Sequence, residues 1–113
     1  MAGSENNYAV AINDDLSELI RMAETLERYG FTVKKYRSGS EALASLHFSS
    51  IPALVVTVIE MQEDDGWEVC RTLRSPEYRE YNNTPIIAVS SLFYGAEPEH
   101  ICTGLGVQAF VRS

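Results

Sequence analysis

The stretch Ala53–Met61, which reads ALVVTVIEM, decides the fold of this chain because it predicts a strand buried on both sides. Its apolar side chains occupy both alternating faces, as in a central parallel strand that helices cover above and below. Pro52 interrupts the chain just before it. Strands of this kind often end on a carboxylate that performs chemistry, whereas this one ends on Val58. That difference bears on function as well as fold.

Short apolar runs alternate with helix-period segments on both sides of this strand. The other predicted strands are Tyr8–Ile12, Phe31–Tyr36, Thr84–Val89 and Gln108–Arg112. Capping patterns predict helices after Asp15, Ser38 and Asp65, and a shorter fourth helix begins near Pro98. The first of these helices carries one apolar stripe, namely Leu16, Leu19, Ile20, Ala23 and Leu26, and the segment Ser75–Asn83 is predicted as polar loop.

This alternation predicts an α/β fold with a doubly wound, five-stranded parallel sheet, right-handed crossovers and helices on both faces. No helix is expected after the last predicted strand. We therefore expect a domain over residues 8–113 that is cut before its last helix, with a loose tail over residues 1–7. A partner, a downstream segment or a rearranged neighbour would then cover the apolar gap, since an exposed sheet face is costly.

Length and charge restrict the function classes. The 113 residues suffice for one compact domain, and nine basic against sixteen acidic residues give a net charge of −7. That charge repels nucleic acid and anionic membrane, so we expect no direct nucleic-acid contact and no membrane contact. With neither a secretion signal nor an apolar run of ~20 residues, the expected location is cytoplasmic. Cys70 and Cys102 are expected to be reduced core thiols, and His47 with His100 has no metal-site spacing.

Polar residues collect where the predicted strands end, which is the rim at which open α/β sheets bind ligands. They are Asn13, Asp14 and Asp15 after the first strand, Glu60 beyond Val58, Ser90 and Ser91 after the fourth strand, and Arg112 with Ser113 after the fifth. The first loop, NDDLSE, is acidic and lacks glycine, so it would repel a flavin phosphate. Clustered acids suit a hard cation such as Mg²⁺ instead.

Several segments, taken in order, resemble one known family. They are INDDL, GFTV, SGSEAL, DDGWEVCRTLR, TPIIAVSS and GLGVQAFVRS, and together they span residues 8–113. The chain resembles a response-regulator receiver domain of the CheY-like superfamily, the aspartate-phosphorylated module of two-component (phosphorelay) signalling. The resemblance implies a flavodoxin-like sheet of order 2-1-3-4-5. It also implies an acidic Mg²⁺ pocket and a phosphoryl-accepting aspartate at the end of the third strand.

The family pattern is only half kept. By resemblance, the family's acidic pair falls on Asn13 and Asp14, and its acceptor aspartate, counted back from Asp65–Gly66, falls on Val58. The family's switch hydroxyl falls on Ser90 and its switch aromatic residue on Phe110. Its invariant lysine falls on Ser113. Val58 has no oxygen with which to attack a phosphoryl donor or bind a metal. Asn13 is neutral, and Ser113 cannot balance a phosphoryl charge. The resemblance thus implies a degenerate or pseudo-receiver without a catalytic residue, and at most weak Mg²⁺ binding by Asp14 and Asp15.

Several rescues stay open. Glu60 reaches back into the pocket as a displaced acceptor or is a solvated loop carboxylate, and Asp64 is either such an acceptor or a turn residue. Thr57 as the acceptor would require a one-residue slip that turns every strand side chain over. Arg112 replaces the lysine only if a bulge re-aims it. The acids Asp14, Asp15 and Glu18 either cap the first helix and offset its dipole or form a residual metal site, and the sequence favours neither interpretation.

Two functional hypotheses follow, and both have signalling proteins as partners, either a histidine kinase or a downstream effector or output domain. In the first, the chain is not an enzyme but a phosphorylation-independent interaction module. It docks through the face made by the fourth helix and fifth strand, which would also serve a homodimer. Phe93 and Tyr94 either anchor a partner there or pack on the helix. In the second, the chain accepts phosphate on Glu60 or Asp64 with Mg²⁺.

Overall fold

The computed structural model describes residues 7–46, 50–62 and 65–90, together with the backbone of residues 109–112. The strands are β1 (Tyr8–Ile12), β2 (Thr32–Tyr36), β3 (Leu54–Val58), β4 (Ile86–Ser90) and β5 (Ala109–Arg112). All neighbouring strands are parallel, and the order is β2-β1-β3-β4-β5. The predicted parallel α/β sheet is confirmed over β2-β1-β3-β4, and the backbone of β5 pairs beside β4. Residues 1–6 of the tail predicted over 1–7, and the segment predicted for the fourth helix, lie outside the described residues.

Three α-helices connect these strands, namely α1 (Leu16–Arg28), α2 (Gly39–Leu46) and α3 (Gly66–Leu73). The Asp15 carboxylate accepts the N–H of Glu18 at 3.0 Å and so caps α1. The Ser38 hydroxyl accepts the N–H of Glu41 at 3.1 Å, and Asp65 accepts that of Trp67 at 2.9 Å. The three predicted helix starts are confirmed, because a polar side chain satisfies a free N–H at each N-terminus.

The prediction of a polar loop over Ser75–Asn83 is wrong. Residues Pro76–Tyr81 form a 3-10 helix whose Tyr78 and Tyr81 side chains are buried. Their hydroxyls donate to the backbone carbonyls of Leu43 and Leu46 in α2. A tyrosine ring can therefore be buried there at little polar cost, since its one hydroxyl has a partner.

The apolar stripe predicted for α1 contains more residues than the helix buries. Leu19 and Ala23 are buried, whereas Leu16 and Ile20 are 50% and 43% exposed. The reason is that, among the described elements, α1 packs mainly on β1 and β2, at the β2 edge of the sheet. A helix on two strands buries a narrow strip, so apolar residues on its flank stay in solvent.

The sheet has two unlike faces. The closed face, as we call it, bears the side chains of Tyr8, Val10, Ile12, Val55, Ile86 and Ala88, which form one core with residues of α2, α3 and the 3-10 helix. The open face bears Ala9, Ala11, Val56, Val58, Ile87 and Val89, and α1 lies beside it. The connection from β1 to β2 crosses the sheet in one direction, whereas the connections from β2 to β3 and from β3 to β4 cross it in the other. Because such crossovers are right-handed, α1 lies on one face of the sheet and α2 and α3 lie on the other.

Cys70 is buried in the closed-face core, as predicted, while Cys102 and both histidines lie outside the described ranges. In the part of the chain that the structure describes, no helix is both long and apolar enough to cross a bilayer.

Candidate functional site

The predicted rim residues do come together. A cavity of about 650 Å³ opens where β1, β3 and β4 end, between α1 and the open face. Five predicted polar site residues line it, namely Asn13, Asp14, Asp15, Glu60 and Ser90. Val58, at the predicted acceptor position, lines it as well. This is the position at which a parallel sheet of this order places its ligand sites.

Asn13 works as part of the scaffold. It is only 2% exposed, and its side-chain oxygen accepts the N–H of Asp15 at 2.9 Å. Its amide nitrogen donates to Oε1 of Glu18 at 3.2 Å and to the sulfur of Met22 at 3.4 Å. Because all three contacts are made to α1 or its cap, Asn13 fixes the start of that helix.

The two acids of the same loop are engaged by backbone donors. Oδ2 of Asp14 accepts the N–H of Gln62 at 2.8 Å, which ties the loop after β1 to the loop after β3. Asp15 points back to cap α1. The guanidinium of Arg37 donates to the carbonyl of Asp14 at 3.2 Å. The carboxylate of Asp14 thus links two loops at this rim, and that of Asp15 stabilises the start of α1.

The described residues do not fit a resident Mg²⁺ ion. Within the described ranges, no three His, Cys, Asp or Glu side chains gather as a metal site. Mg²⁺ requires near-octahedral oxygen ligands. Val58 supplies no oxygen, the Asn13 oxygen is bonded to a backbone N–H, and the Asp15 carboxylate is a cap.

Val58 closes the end of β3 with methyl groups and is 8% exposed. Thr57, the residue before it, is fully buried and donates its hydroxyl to the carbonyl of Val58 at 2.9 Å. Neighbouring strand residues point to opposite faces, so Thr57 points away from the cavity. The structure therefore gives no support to a one-residue slip that would make Thr57 an acceptor.

Glu60 lines the cavity and is half-buried there. Its Oε2 accepts a short hydrogen bond from the hydroxyl of Ser90 at the end of β4. An isolated antiparallel bridge joins Glu60 to Asp65, and the N–H of Gly66 donates to the carbonyl of Ile59 at 2.9 Å. These bonds fold the loop against the end of β3, which holds Glu60 on the same side as Val58.

Gly66 makes this close approach possible. A Cβ at that position would lie 2.2 Å from the carbonyl oxygen of Val58 and 2.7 Å from the Cα of Ile59. No side chain fits at such distances, so only glycine lets α3 begin directly beside the end of β3.

Sequence reasoning missed the apolar part of the cavity. Met22, Thr25 and Leu26 of α1 form one wall, and Ile87 with Val89 forms part of the floor. The spacing of Met22 and Leu26, one helical turn apart, was the available signal. The other predicted site positions lie outside the residues whose side chains the structure describes, namely Asp64, Phe93, Tyr94, Phe110, Arg112 and Ser113.

Comparison with known proteins identifies the same fold throughout. The response regulator receiver domain family matches residues 9–111. Chemotaxis protein CheY4 of Vibrio cholerae, crystallised at low pH, superposes with a TM-score of 0.83 at 21% identity, covering 94% of this chain and 85% of that one. A response regulator receiver protein from Pseudomonas putida gives a TM-score of 0.80 at 23% identity, covering 96% and 86%.

A third solved structure belongs to a different kind of parent protein. The receiver domain of a signal transduction histidine kinase from Syntrophus aciditrophicus superposes with a TM-score of 0.77 at 22% identity, covering 95% of this chain and 78% of that one. At these identities the superpositions show the shared fold. A search of curated protein sequences found no significant match.

Proposed function

The chain belongs to the response regulator receiver domain family of two-component signalling, and we propose that it is a degenerate receiver that regulates through protein contacts without being phosphorylated. One observation carries this proposal. The position that resemblance assigns to the phosphoryl acceptor is occupied by Val58, which presents methyl groups to the cavity. Attack on a phosphoryl group requires a nucleophilic oxygen, nitrogen or sulfur, and a valine side chain has none.

The hydrogen bond between Ser90 and Glu60 supports the same proposal. Resemblance assigns the switch hydroxyl to Ser90, and here that hydroxyl donates to a carboxylate of the chain itself. Hydrogen bonds to ionised acceptors are about twice as strong as those between neutral groups. The bond therefore favours one orientation of Ser90 without any modification of the protein, which is consistent with a switch held in one state.

Receiver domains interact with histidine kinases and with effector domains, and we propose the same two classes of partner for this chain. The face of the fourth helix and fifth strand, with Phe93 and Tyr94, stays a predicted docking or homodimer surface. The net charge of −7 disfavours direct contact with nucleic acid or an anionic membrane. A cytoplasmic location remains part of this proposal.

A second candidate function has one observation in its favour. Glu60 lines the same cavity as Asp14 and Asp15, so a displaced acceptor is geometrically conceivable. In that reaction a carboxylate oxygen of Glu60, or of Asp64, would attack phosphorus with Mg²⁺ at Asp14 and Asp15. The donor's leaving group would depart with its bonding electrons, and an acyl phosphate would remain. The bond from Ser90 to Glu60 and the poor fit to Mg²⁺ favour the first candidate.

Phosphodonor labelling separates the two candidates. The chain is incubated with acetyl phosphate and Mg²⁺, and its intact mass is measured. We expect no gain, because Val58 has no oxygen to attack phosphorus and the described rim residues do not fit a resident Mg²⁺ ion. A stoichiometric, labile gain of one phosphoryl group that disappears in Glu60→Gln would establish the second candidate and overturn the first.

The variant Val58→Asp shows how much of the pocket has been lost. If labelling appears in Val58→Asp, the rest of the pocket is competent and the nucleophile alone is missing. If it does not appear, the substitutions at Asn13 and Ser113 matter as well. Val58→Asn is the matched control, because it has the same shape but cannot form an acyl phosphate.

A further inference from the structure

The strand β2 forms one edge of the sheet, since the strand order is β2-β1-β3-β4-β5. On its inner side Thr32 donates its N–H to the carbonyl before β1, and Tyr36 accepts the N–H of the residue after β1, both at 3.1 Å. In a parallel pair, alternate residues of a strand turn both backbone groups to the same neighbour. Lys34 therefore also faces β1, whereas the N–H and C=O groups of Val33 and Lys35 point outward. Within the described ranges, no residue bonds to these outward groups.

The same edge carries a concentration of positive charge in a chain whose net charge is −7. Residues 28–37 contain neither Asp nor Glu, and their four basic side chains are all exposed, namely Arg28, Lys34, Lys35 and Arg37. The two arginines bond to uncharged oxygens, and the ammonium of Lys34 lies 4.6 Å from the centre of the Tyr8 ring. No described carboxylate lies within ion-pair distance of these four cations. Their charge is thus available to a partner.

The two lysines flank the edge on opposite faces of the sheet. Lys34 stands on the closed face, where it covers the Tyr8 ring, and Lys35 stands on the other face because neighbouring strand residues alternate. An extended segment laid along β2 would also present side chains to both faces, with Cβ atoms about 4.5–5.5 Å from those of β2. Acidic residues at adjacent positions of that segment would therefore each meet a cation.

The α1 side of this edge also offers apolar surface. Leu16 and Ile20 are exposed and lie about one helical turn apart. The opposite flank of α1, which includes Met22, lines the cavity, and the buried residues Leu19 and Ala23 lie between the two flanks. Leu16 and Ile20 therefore lie toward β2, where an apolar side chain of an added segment would contact them.

Charge decides among the possible occupants of the edge. A second copy that pairs β2 with β2 would set Lys34 and Lys35 against the same lysines, and like charges opposite each other destabilise a strand pair. The connection between β4 and β5 begins and ends at strands that β1 and β3 separate from β2. Nucleic acid matches the positive charge but has no strand backbone to pair with Val33. An acidic, extended polypeptide satisfies both the charge and the outward backbone groups.

We propose that β2 binds an extended acidic segment of a partner protein by strand addition. The backbone groups of Val33 and Lys35 pair with that segment, its acidic side chains face Lys34 and Lys35, and an apolar side chain contacts Ile20. In this mode main-chain hydrogen bonds give affinity and alternate side chains give specificity. The surface lies at the opposite edge of the sheet from β5 and apart from the cavity at the rim. The proposal therefore does not depend on whether the chain accepts phosphate.

A synthetic peptide tests the pairing directly. The probe has about nine residues, with adjacent glutamates at its centre and β-branched residues around them. Its matched control is methylated on the backbone nitrogens that would face β2, so it keeps the charge and loses the donors. Each is titrated into the isotope-labelled full chain, and amide hydrogen exchange is followed by NMR. We expect slower exchange at Val33 and Lys35 and little change at Lys34, whose N–H already faces β1. The control should bind about tenfold more weakly, as expected for losing one or two backbone hydrogen bonds.

Variants of the protein separate the charge from the backbone pairing. Lys35→Gln removes one exposed charge and should weaken the probe about threefold at low salt. Lys35→Pro also removes the outward N–H, which an edge strand tolerates, and should weaken the probe about tenfold or more. Arg79→Gln removes an exposed cation of the 3-10 helix, away from β2, and should leave the affinity unchanged. If circular dichroism shows that Lys35→Pro does not fold, the methylated peptide makes the same test on the native chain.

Several outcomes would overturn the proposal. They are equal binding of both peptides, exchange changes confined to residues away from β2, and a probe affinity that Lys35→Gln leaves unchanged. Slow exchange of the Val33 and Lys35 amides in the chain alone would show that its own residues or a second copy already cover the edge. An oligonucleotide that binds the same residues as tightly as the probe would assign the charge to a polyanion instead. Labelling by acetyl phosphate would remove the proposed function but leave the peptide result standing, so the two failures are distinguishable.

Discussion

The closed and open faces belong to the same strands, yet they differ in how completely the described residues cover them. On the closed face, α2, α3 and the 3-10 helix bury Val10, Val55 and Ile86 almost fully. On the open face, α1 covers the two strands at one edge, and Ile87 and Val89 of β4 stay half-exposed beside a cavity. Among the described residues, one face is a filled core and the other borders a cavity.

The polar groups follow the same division. On the closed face, buried hydroxyls such as those of Tyr78 and Tyr81 donate to backbone carbonyls and serve packing. At the rim of the open face, Glu60 and Ser90 bond to each other beside open space. The two faces thus separate polar groups that stabilise packing from polar groups that line a cavity, and variants on each face test this division.

The largest contrast is expected between adjacent residues of β4. Ile86→Ala removes a fully buried side chain from the closed face and should cost about 2–5 kcal/mol in the free energy of unfolding. Ile87→Ala removes a half-buried side chain from the open face and should cost about 1–2 kcal/mol. Urea unfolding at constant m-value measures both. Equal losses would show that the open face is as well filled as the closed one.

The second contrast concerns two glycines. Gly66→Ala forces a methyl group against the Val58 carbonyl on the closed side and should cost about 3 kcal/mol. Gly30→Ala, at the end of α1, meets open space but keeps a φ of 96°, and it should cost about 1 kcal/mol. Thermal unfolding of both variants gives the comparison. A mild effect at Gly66 would mean that α3 can move away from β3.

The free energy lost on removing a helix cap should be the same on either face of the sheet. Asp15→Ala removes the cap of α1 and Asp65→Ala that of α3, and each should cost about 1 kcal/mol because a single N–H loses its acceptor. The substitutions Asp15→Asn and Asp65→Asn keep an acceptor and serve as controls. A much larger loss at either position, measured by urea unfolding, would assign that carboxylate a role beyond capping.

The smallest effect is a pH dependence that belongs to the closed face. Burial raises the pKa of the Tyr81 phenol above its ordinary value near 10, with Glu80 and Tyr78 adding to the effect, and burial likewise raises the pKa of Tyr78. The folded state then keeps protons that the unfolded chain releases, so stability is complete below about pH 10 and declines above it.

Urea midpoints measured on either side of pH 10 should therefore fall with rising pH. The slope should be smaller in Tyr81→Phe. Tyr29→Phe changes a phenol that is 79% exposed and is the control, so its slope should match that of the parent chain. An unchanged slope in Tyr81→Phe would contradict the burial of that phenol.

Much of this architecture is readable in the order of residues. Alternating apolar runs and capping residues predict the strands and the starts of the helices, because hydrogen bonds and periodicity act over a few residues. The Asp65–Gly66 turn, with the segments around it, suffices to predict that Val58 stands at the end of β3. That Val58 offers no nucleophilic oxygen is a property of the sequence alone, since no fold gives a valine an oxygen.

Tertiary structure decided the rest, because it depends on contacts between distant segments. The burial of Tyr78 and Tyr81 depends on carbonyls 35 residues earlier in α2. Glu60 meets Ser90 across 30 residues because the loop after β3 folds against the end of its own strand. The cavity at the rim is bounded by α1, which packs on β1 and β2, and by side chains of β3 and β4, segments that lie far apart in the sequence. Local patterns cannot encode such an arrangement, since its free energy arises when the strands lie side by side.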